Sequence, residues 1–94
     1  MEFEWNDDKA RSNLHKHGIA FERAAEVFRD TLHDTVEDEF AIGESRFRTT
    51  GVVRGIGLIV VIHTVENEGE DDELIRLISA RRAEPHERRA YEGG

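Results

Sequence analysis

Leu58-Ile59-Val60-Val61-Ile62-His63-Thr64 is the stretch on which the fold turns. Most of it belongs to an apolar run of seven residues, Ile56 to Ile62 with Gly57 inside it. That is far too short to span a bilayer, and it reads as a strand over about 57–65. Upstream, Gly55 and Gly57 break it from a strand over about 46–54 and make the two a hairpin, with a further strand over about 32–37. Downstream, Glu66 to Glu73 reads Glu-Asn-Glu-Gly-Glu-Asp-Asp-Glu, a solvated acidic loop leading to a strand over about 74–80. Pro85 marks the start of a closing helix, about 85–92, that includes Arg88, Arg89 and Tyr91.

At the front, Phe3, Glu4 and Trp5 alternate as a short strand would. Asn6 is a good N-cap, and Asp7 and Asp8 suit the positive end of the helix that follows. That helix runs to about His17, where Gly18 can end it in the left-handed conformation. Ala10, Leu14 and His17 fall on one stripe; Lys9, Asn13 and Lys16 fall on another. A second helix covers about 21–29 with Phe21, Ala24, Ala25 and Phe28 at core spacing, its start weakened by Ala20 in the cap position. The chain is one domain, 1–94, with no repeat or linker. Two helices, an antiparallel sheet and a terminal helix make the class α+β.

A chain of 94 residues buries a thin core and gains from a partner's surface. The absence of cysteine excludes disulfides, thiolate metal sites and thiol nucleophiles. No charged-then-apolar leader opens the sequence, so a cytoplasmic protein with no membrane role is expected. The net charge of −8 repels nucleic acid unless the cations are gathered on one face. Residues 1–45 hold five cations against twelve acids, whereas residues 46–94 hold eight cations, all arginine, against nine. An anion-binding surface is therefore to be sought in the second half.

Strand alternation gives that surface a first shape. Along 74–82 it groups Arg76, Ile78, Ala80 and Arg82 opposite Ile75, Leu77, Ser79 and Arg81. Along 46–53 it groups Arg46, Arg48 and Thr50, and along 57–65 it groups Ile59, Val61 and His63. One face can pack on helices while the other offers arginines and one histidine; the bland alternative is a solvated face bridged to the many carboxylates. Guanidinium forks hold phosphate oxygens bidentately, and histidine moves protons near neutral pH. Those groups suffice for RNA cleavage, in which a 2′-hydroxyl attacks the adjacent phosphorus.

Several blocks, in one order along nearly the whole chain, resemble the BrnT toxin family. Phe3-Glu4-Trp5-Asn6, Lys9, Asn13, Lys16-His17-Gly18 and Phe21 are similar to its opening signature. Leu58 to Thr64 is similar to its central strand; Ile75 to Ala83 and Glu87-Arg88-Arg89-Ala90-Tyr91-Glu92 are similar to its close. The resemblance implies a RelE-like α+β fold and a metal-independent, cofactor-free endoribonuclease that arrests growth. It also implies a ribbon-helix-helix antitoxin of the BrnA type, two copies with two toxins, through which alone operator DNA is met. The paired arginines tied to toxicity are here Arg81 and Arg82, with Arg76 and His63 as further catalytic candidates inside matching blocks. Lys9 and Lys16 join Arg46 and Arg48 as RNA-contact candidates. The charge of −8 and the acidic loop 66–73 motivate the alternative, an inactive module of the same fold that binds the antitoxin and aids autoregulation.

Competing readings attach to single residues. His15 and His17 lie about 200° apart on a helix and cannot share a metal ion. His63 ends an apolar run and is either a hydrogen-bonded core residue or an acid–base group. Arg81 and Arg82 fall on opposite faces of an ideal strand and meet one phosphate only where the strand ends or bulges. Phe3 and Trp5 read as packing residues, and Tyr91 as the anchor of the last helix.

Overall fold

The computed structural model describes residues 1–39 and 42–93. Its elements are β1 (Glu2–Glu4), α1 (Asp7–His17), α2 (Phe21–Ala24), β2 (Asp34–Glu37), β3 (Phe47–Val53), β4 (Gly57–Glu66), β5 (Leu74–Arg82) and α3 (Pro85–Gly93). The α2 helix tightens into a 3₁₀ turn over Ala25–Arg29, so the single helix expected over 21–29 is split. Ala20 provides no side-chain cap there. The caps of α1 form as the sequence dictates: Asn6 Oδ1 accepts the Lys9 N–H at 3.1 Å, and Gly18 at φ 72 donates to the Leu14 carbonyl at 2.8 Å.

The strands form one sheet in the order β1-β5-β4-β3-β2, which puts the deciding apolar stretch at its centre. Strands β2 to β5 are an antiparallel meander, but β1 pairs with β5 in parallel, Glu2 to Leu74 through Glu4 to Arg76. The sheet is therefore mixed, not antiparallel throughout. Three residues carry no signal of direction, and their partner lies at the other end of the chain.

A second departure concerns β5. It pairs with β4 as far as Leu77 opposite His63 and resumes at Ser79 opposite Ile62, so Ile78 is an extra residue in a bulge. Burial follows the slip: Ile75 and Leu77 are buried before it, Ala80 after it. Arg81 is thereby moved onto the face of Arg76, and Ala80 and Arg82 onto the face of Ile75 and Leu77. The expected grouping of Arg76 with Ala80 and Arg82 is corrected by this one residue.

The core lies between the N-terminal helices and one face of the sheet. Ile19, Phe21, Ala24 and Val27 meet Val53, Ile59, Val61, Ile75, Leu77 and Ala80 there, each adding about 1.5–3 kcal/mol where a large side chain is fully buried. Phe3 and Trp5 pack on this side, against Phe28 and Phe21. From α1 the buried residue is Asn13, with Ala10 packed against the core, while Leu14 is 51% exposed. Asn13 donates to the Ile19 and Ala80 carbonyls at 3.0 and 2.9 Å and accepts the Ala80 N–H at 3.0 Å, acting as one residue of a missing strand beside β5. The α3 helix lies over part of the other face, with Tyr91 bonded to Asp30, whose carboxylate also takes the Val52 and Leu32 N–H groups.

Candidate functional site

The open face of the sheet carries Arg48, Arg76 and Arg81, and Arg46, just before β3, lines a cleft with Arg76. The cross-strand register sets Ile62 between Arg48 and Ser79, and Val60 between Thr50 and Arg81. The arginines thus rise from two strands separated by β4. Arg82 lies on the helix side beside Ile59, exposed, with no ion pair among the described residues.

Arg81 is not free. Its Nη1 and Nη2 donate to the two oxygens of Glu87 at 2.7 and 2.9 Å, a bidentate fork. Glu87 Oε1 also accepts the Glu84 N–H at 2.8 Å, so the same carboxylate caps the start of α3. Arg48 Nη1 stands 3.8 Å from Glu87 Oε2. Arg81's hydrogen bond draws the Glu87 pKa down to about 2, although burial opposes it, and raises that of Arg81. Arg48 Nε is buried and has no hydrogen-bond partner. Two guanidinium groups therefore share one carboxylate, leaving a net positive charge.

Arg76 is exposed and bonded to Glu4, 2.8 Å from Nε and 2.6 Å from Nη2. Its pKa is raised by that bond first, with Glu66 and Glu44 adding to it. The base of the acidic loop thus acts on the Arg76 end of the open face. Arg46 stands 3.4 Å from Glu44. Arg46, Arg76 and Lys9 line one cleft of about 380 Å³ together with Glu4, Glu44 and Trp5. Lys16 lies in a neighbouring cleft of about 220 Å³.

His63 is not among the arginines. It points to the helix side at 1% exposure, with the Phe28 ring edge-on at 5.1 Å and the Phe47 ring stacked at 6.0 Å. Burial lowers its pKa, which favours the neutral ring. Its Nδ1–H donates to the Thr64 carbonyl at 3.2 Å, and Nε2 accepts from the Thr49 hydroxyl at 2.7 Å, which in turn accepts from Thr35 at 2.7 Å. Of its two competing readings, the geometry is that of the hydrogen-bonded core histidine.

Glu87, Asn13 and Asp30 organise this architecture; the sequence reading named Glu87 and Asn13 without a role and passed over Asp30. The spacing Glu84-Pro85-His86-Glu87 held a capping signal for the first, and Asn13 stood on a recognised stripe; Asp30 carried none. Glu84, His86 and Glu87 bring possible metal-ligand atoms within 4.8 Å of one another, but both Glu87 oxygens are already held by Arg81 and the Glu84 N–H. No helix among the described residues is long and apolar enough to cross a membrane.

The sequence pattern of the family described as "Ribonuclease toxin, BrnT, of type II toxin-antitoxin system" matches residues 5–87. The fold is similar to the 1.1 Å crystal structure of the Brucella abortus ribonuclease toxin BrnT, with a TM-score of 0.60 and 26% identity over 89% of this chain and 97% of that one. Among curated protein sequences none matches the chain.

Proposed function

The chain belongs to the BrnT family of ribonuclease toxins of type II toxin–antitoxin systems, and from that membership we propose that it cuts RNA on the open face of its sheet, without a metal ion, and arrests growth until a BrnA-like antitoxin binds it. The observation that carries this reading is the pair Arg81 and Arg48 gathered around the single carboxylate of Glu87, so that the cluster keeps a net positive charge. When a ribose 2′-oxygen attacks phosphorus, negative charge grows on the non-bridging oxygens, and fixed guanidinium groups stabilise it without reorganising. Glu87 holds the two planes in place. Water takes the hydroxyl proton and supplies one to the departing 5′-oxygen. Arg76 and Arg46 steady adjoining phosphates, and Arg82 meets the strand only past the end of β5. His63 supports β3 beneath Arg48 through Thr49 and does not touch substrate.

In this reading the fold is RelE-like and the antitoxin is a ribbon-helix-helix protein. Two toxins meet two antitoxins in the cytoplasm, and the antitoxin alone touches operator DNA. The test is purified, antitoxin-free protein incubated with RNA in excess chelator. Cleavage is expected to persist, and Arg81→Ala or Arg48→Ala to slow it by about 10²–10³ each. Loss of cleavage on chelation overturns metal independence; unchanged cleavage by Arg81→Ala and by Arg48→Ala overturns the site. Expression without antitoxin is expected to stop growth, and the arginine variants to relieve the arrest.

A second reading has its own support, because Arg76, Arg46 and Arg81 each face a carboxylate, Glu4, Glu44 and Glu87. A module with its forks filled would bind an antitoxin and alter operator binding while leaving RNA uncut. The same incubation separates the two.

A further inference from the structure

Arg46, Arg48, Arg76 and Arg81 each face a carboxylate, yet one cleft is lined by cations without an acid. The cleft of about 220 Å³ between α1 and β5 is lined by Lys9, Ser12, Asn13, Lys16, His17, Ile78 and Ser79, with no carboxylate. Lys9 and Lys16 are the only lysines in the sequence. Both are exposed, and neither takes part in an ion pair among the described residues. Seven residues apart, they stand two helical turns from each other, roughly 10 Å along one stripe of α1. Asn13, between them, turns inward and holds Ala80, which fixes α1 beside the strand.

The edge beneath them is open. β1 ends at Glu4 opposite Arg76, so Leu77 to Ser79, including the bulged Ile78, run past the end of their neighbour. Lys9 and Ile78 also line the cleft that holds Arg76 and Arg46. The two clefts therefore join into a track that starts on the helix side and turns round the short edge of the sheet onto the arginine face.

We propose that single-stranded RNA follows this track, its phosphates on Lys16 and then Lys9, before crossing the bulge to Arg76 and Arg46. The inference rests on the ribonuclease reading and adds the path by which substrate reaches the arginines. Lysine suits the approach, being a point charge that accepts a phosphate from many directions, whereas arginine fixes it. The Ser12 and Ser79 hydroxyls supply uncharged donors along the way. A path that bends round one strand edge in a molecule of 30 × 29 × 26 Å fits a flexible single strand, not a duplex.

The experiment measures binding of the full chain, free of antitoxin, to a short RNA fully 2′-O-methylated so that no attacking hydroxyl exists, over a range of salt. Lys9→Ala/Lys16→Ala is expected to flatten the slope of log K against log salt by about 1.4, two single-strand phosphate contacts at about 0.7 each. Lys9→Arg/Lys16→Arg is expected to restore the slope. Arg29→Ala/Arg89→Ala removes the same charge elsewhere and is expected to leave the slope unchanged. Equal losses in the two alanine pairs, or an unchanged slope in the lysine pair, overturn the track. So does a lysine pair that binds RNA normally but loses an antitoxin. Normal cleavage of unmodified RNA by the lysine pair overturns the track and spares the ribonuclease reading. A wild-type chain that binds with the lysine-dependent slope yet never cuts supports the track and overturns that reading.

Discussion

Asn13 ties α1 to the sheet through three hydrogen bonds, and its replacement shows what a single amide does here. Asn13→Ala strands the N–H and carbonyl of Ala80 where no strand covers them, an expected loss of about 2–4 kcal/mol in urea unfolding. A loss below about 1 kcal/mol would show that water replaces the amide. Glu87 works through charge. Its pKa near 2 lies below the ordinary 4.5, so its contribution is present above 4.5 and is lost as the pH falls toward 2. Between pH 5 and pH 2 the wild type is expected to lose about 2–3 kcal/mol more than Glu87→Gln. His63 acts earlier in the same titration. The fold resists the proton that the unfolded chain accepts below 6.5, so acidification from there already lowers stability, and His63→Gln is expected to remove that first decline.

Among the elements, β3 runs hard against the 3₁₀ turn. A Cβ on Gly51 would stand 2.9 Å from the Val27 carbonyl oxygen and 3.2 Å from the Val27 Cβ, and a backbone atom cannot rotate away. Gly51→Ala is therefore expected to cost about 1–3 kcal/mol by overpacking, read as a lowered urea midpoint with an unchanged slope. How far such features were legible depends on how local their cause is. The helices and β2 to β5 could be read because periodicity, caps and glycine turns act within a few residues, as at Asn6, Gly18 and Gly55. The parallel seat of β1 depends on Leu74 to Arg76, far along the chain, and no local signal records it. The bulge at Ile78 left no mark either, since Ile78 suits a strand as well in register as out of it. Yet it decides which of Arg81 and Arg82 shares a face with Arg76. The arginine-bearing face was thus readable, but its membership was not. His63 ended an apolar run, a position open to a site or to the core alike.

For the molecule as a whole, size and charge set the terms. A thin core makes a partner's contribution weigh heavily: at about a hundredfold excess over Kd, an antitoxin is expected to add about 2.7 kcal/mol and to make the melting temperature concentration-dependent. A melting temperature indifferent to added antitoxin would mean that no complex forms with the folded chain. The pairing of β1 with β5 reaches further. Glu2 donates to the Glu73 carbonyl at 2.8 Å, Glu4 holds Arg76, and Asn13 holds Ala80, so residues 2–13 take their places only once residues 73–80 have been made. A chain that stops before residue 74 lacks the strand on which β1 and Asn13 are seated. A fragment ending at residue 73 tests this, because it is expected to show no cooperative unfolding transition. On this topology the edge that seats β1 exists only after β5 has been made.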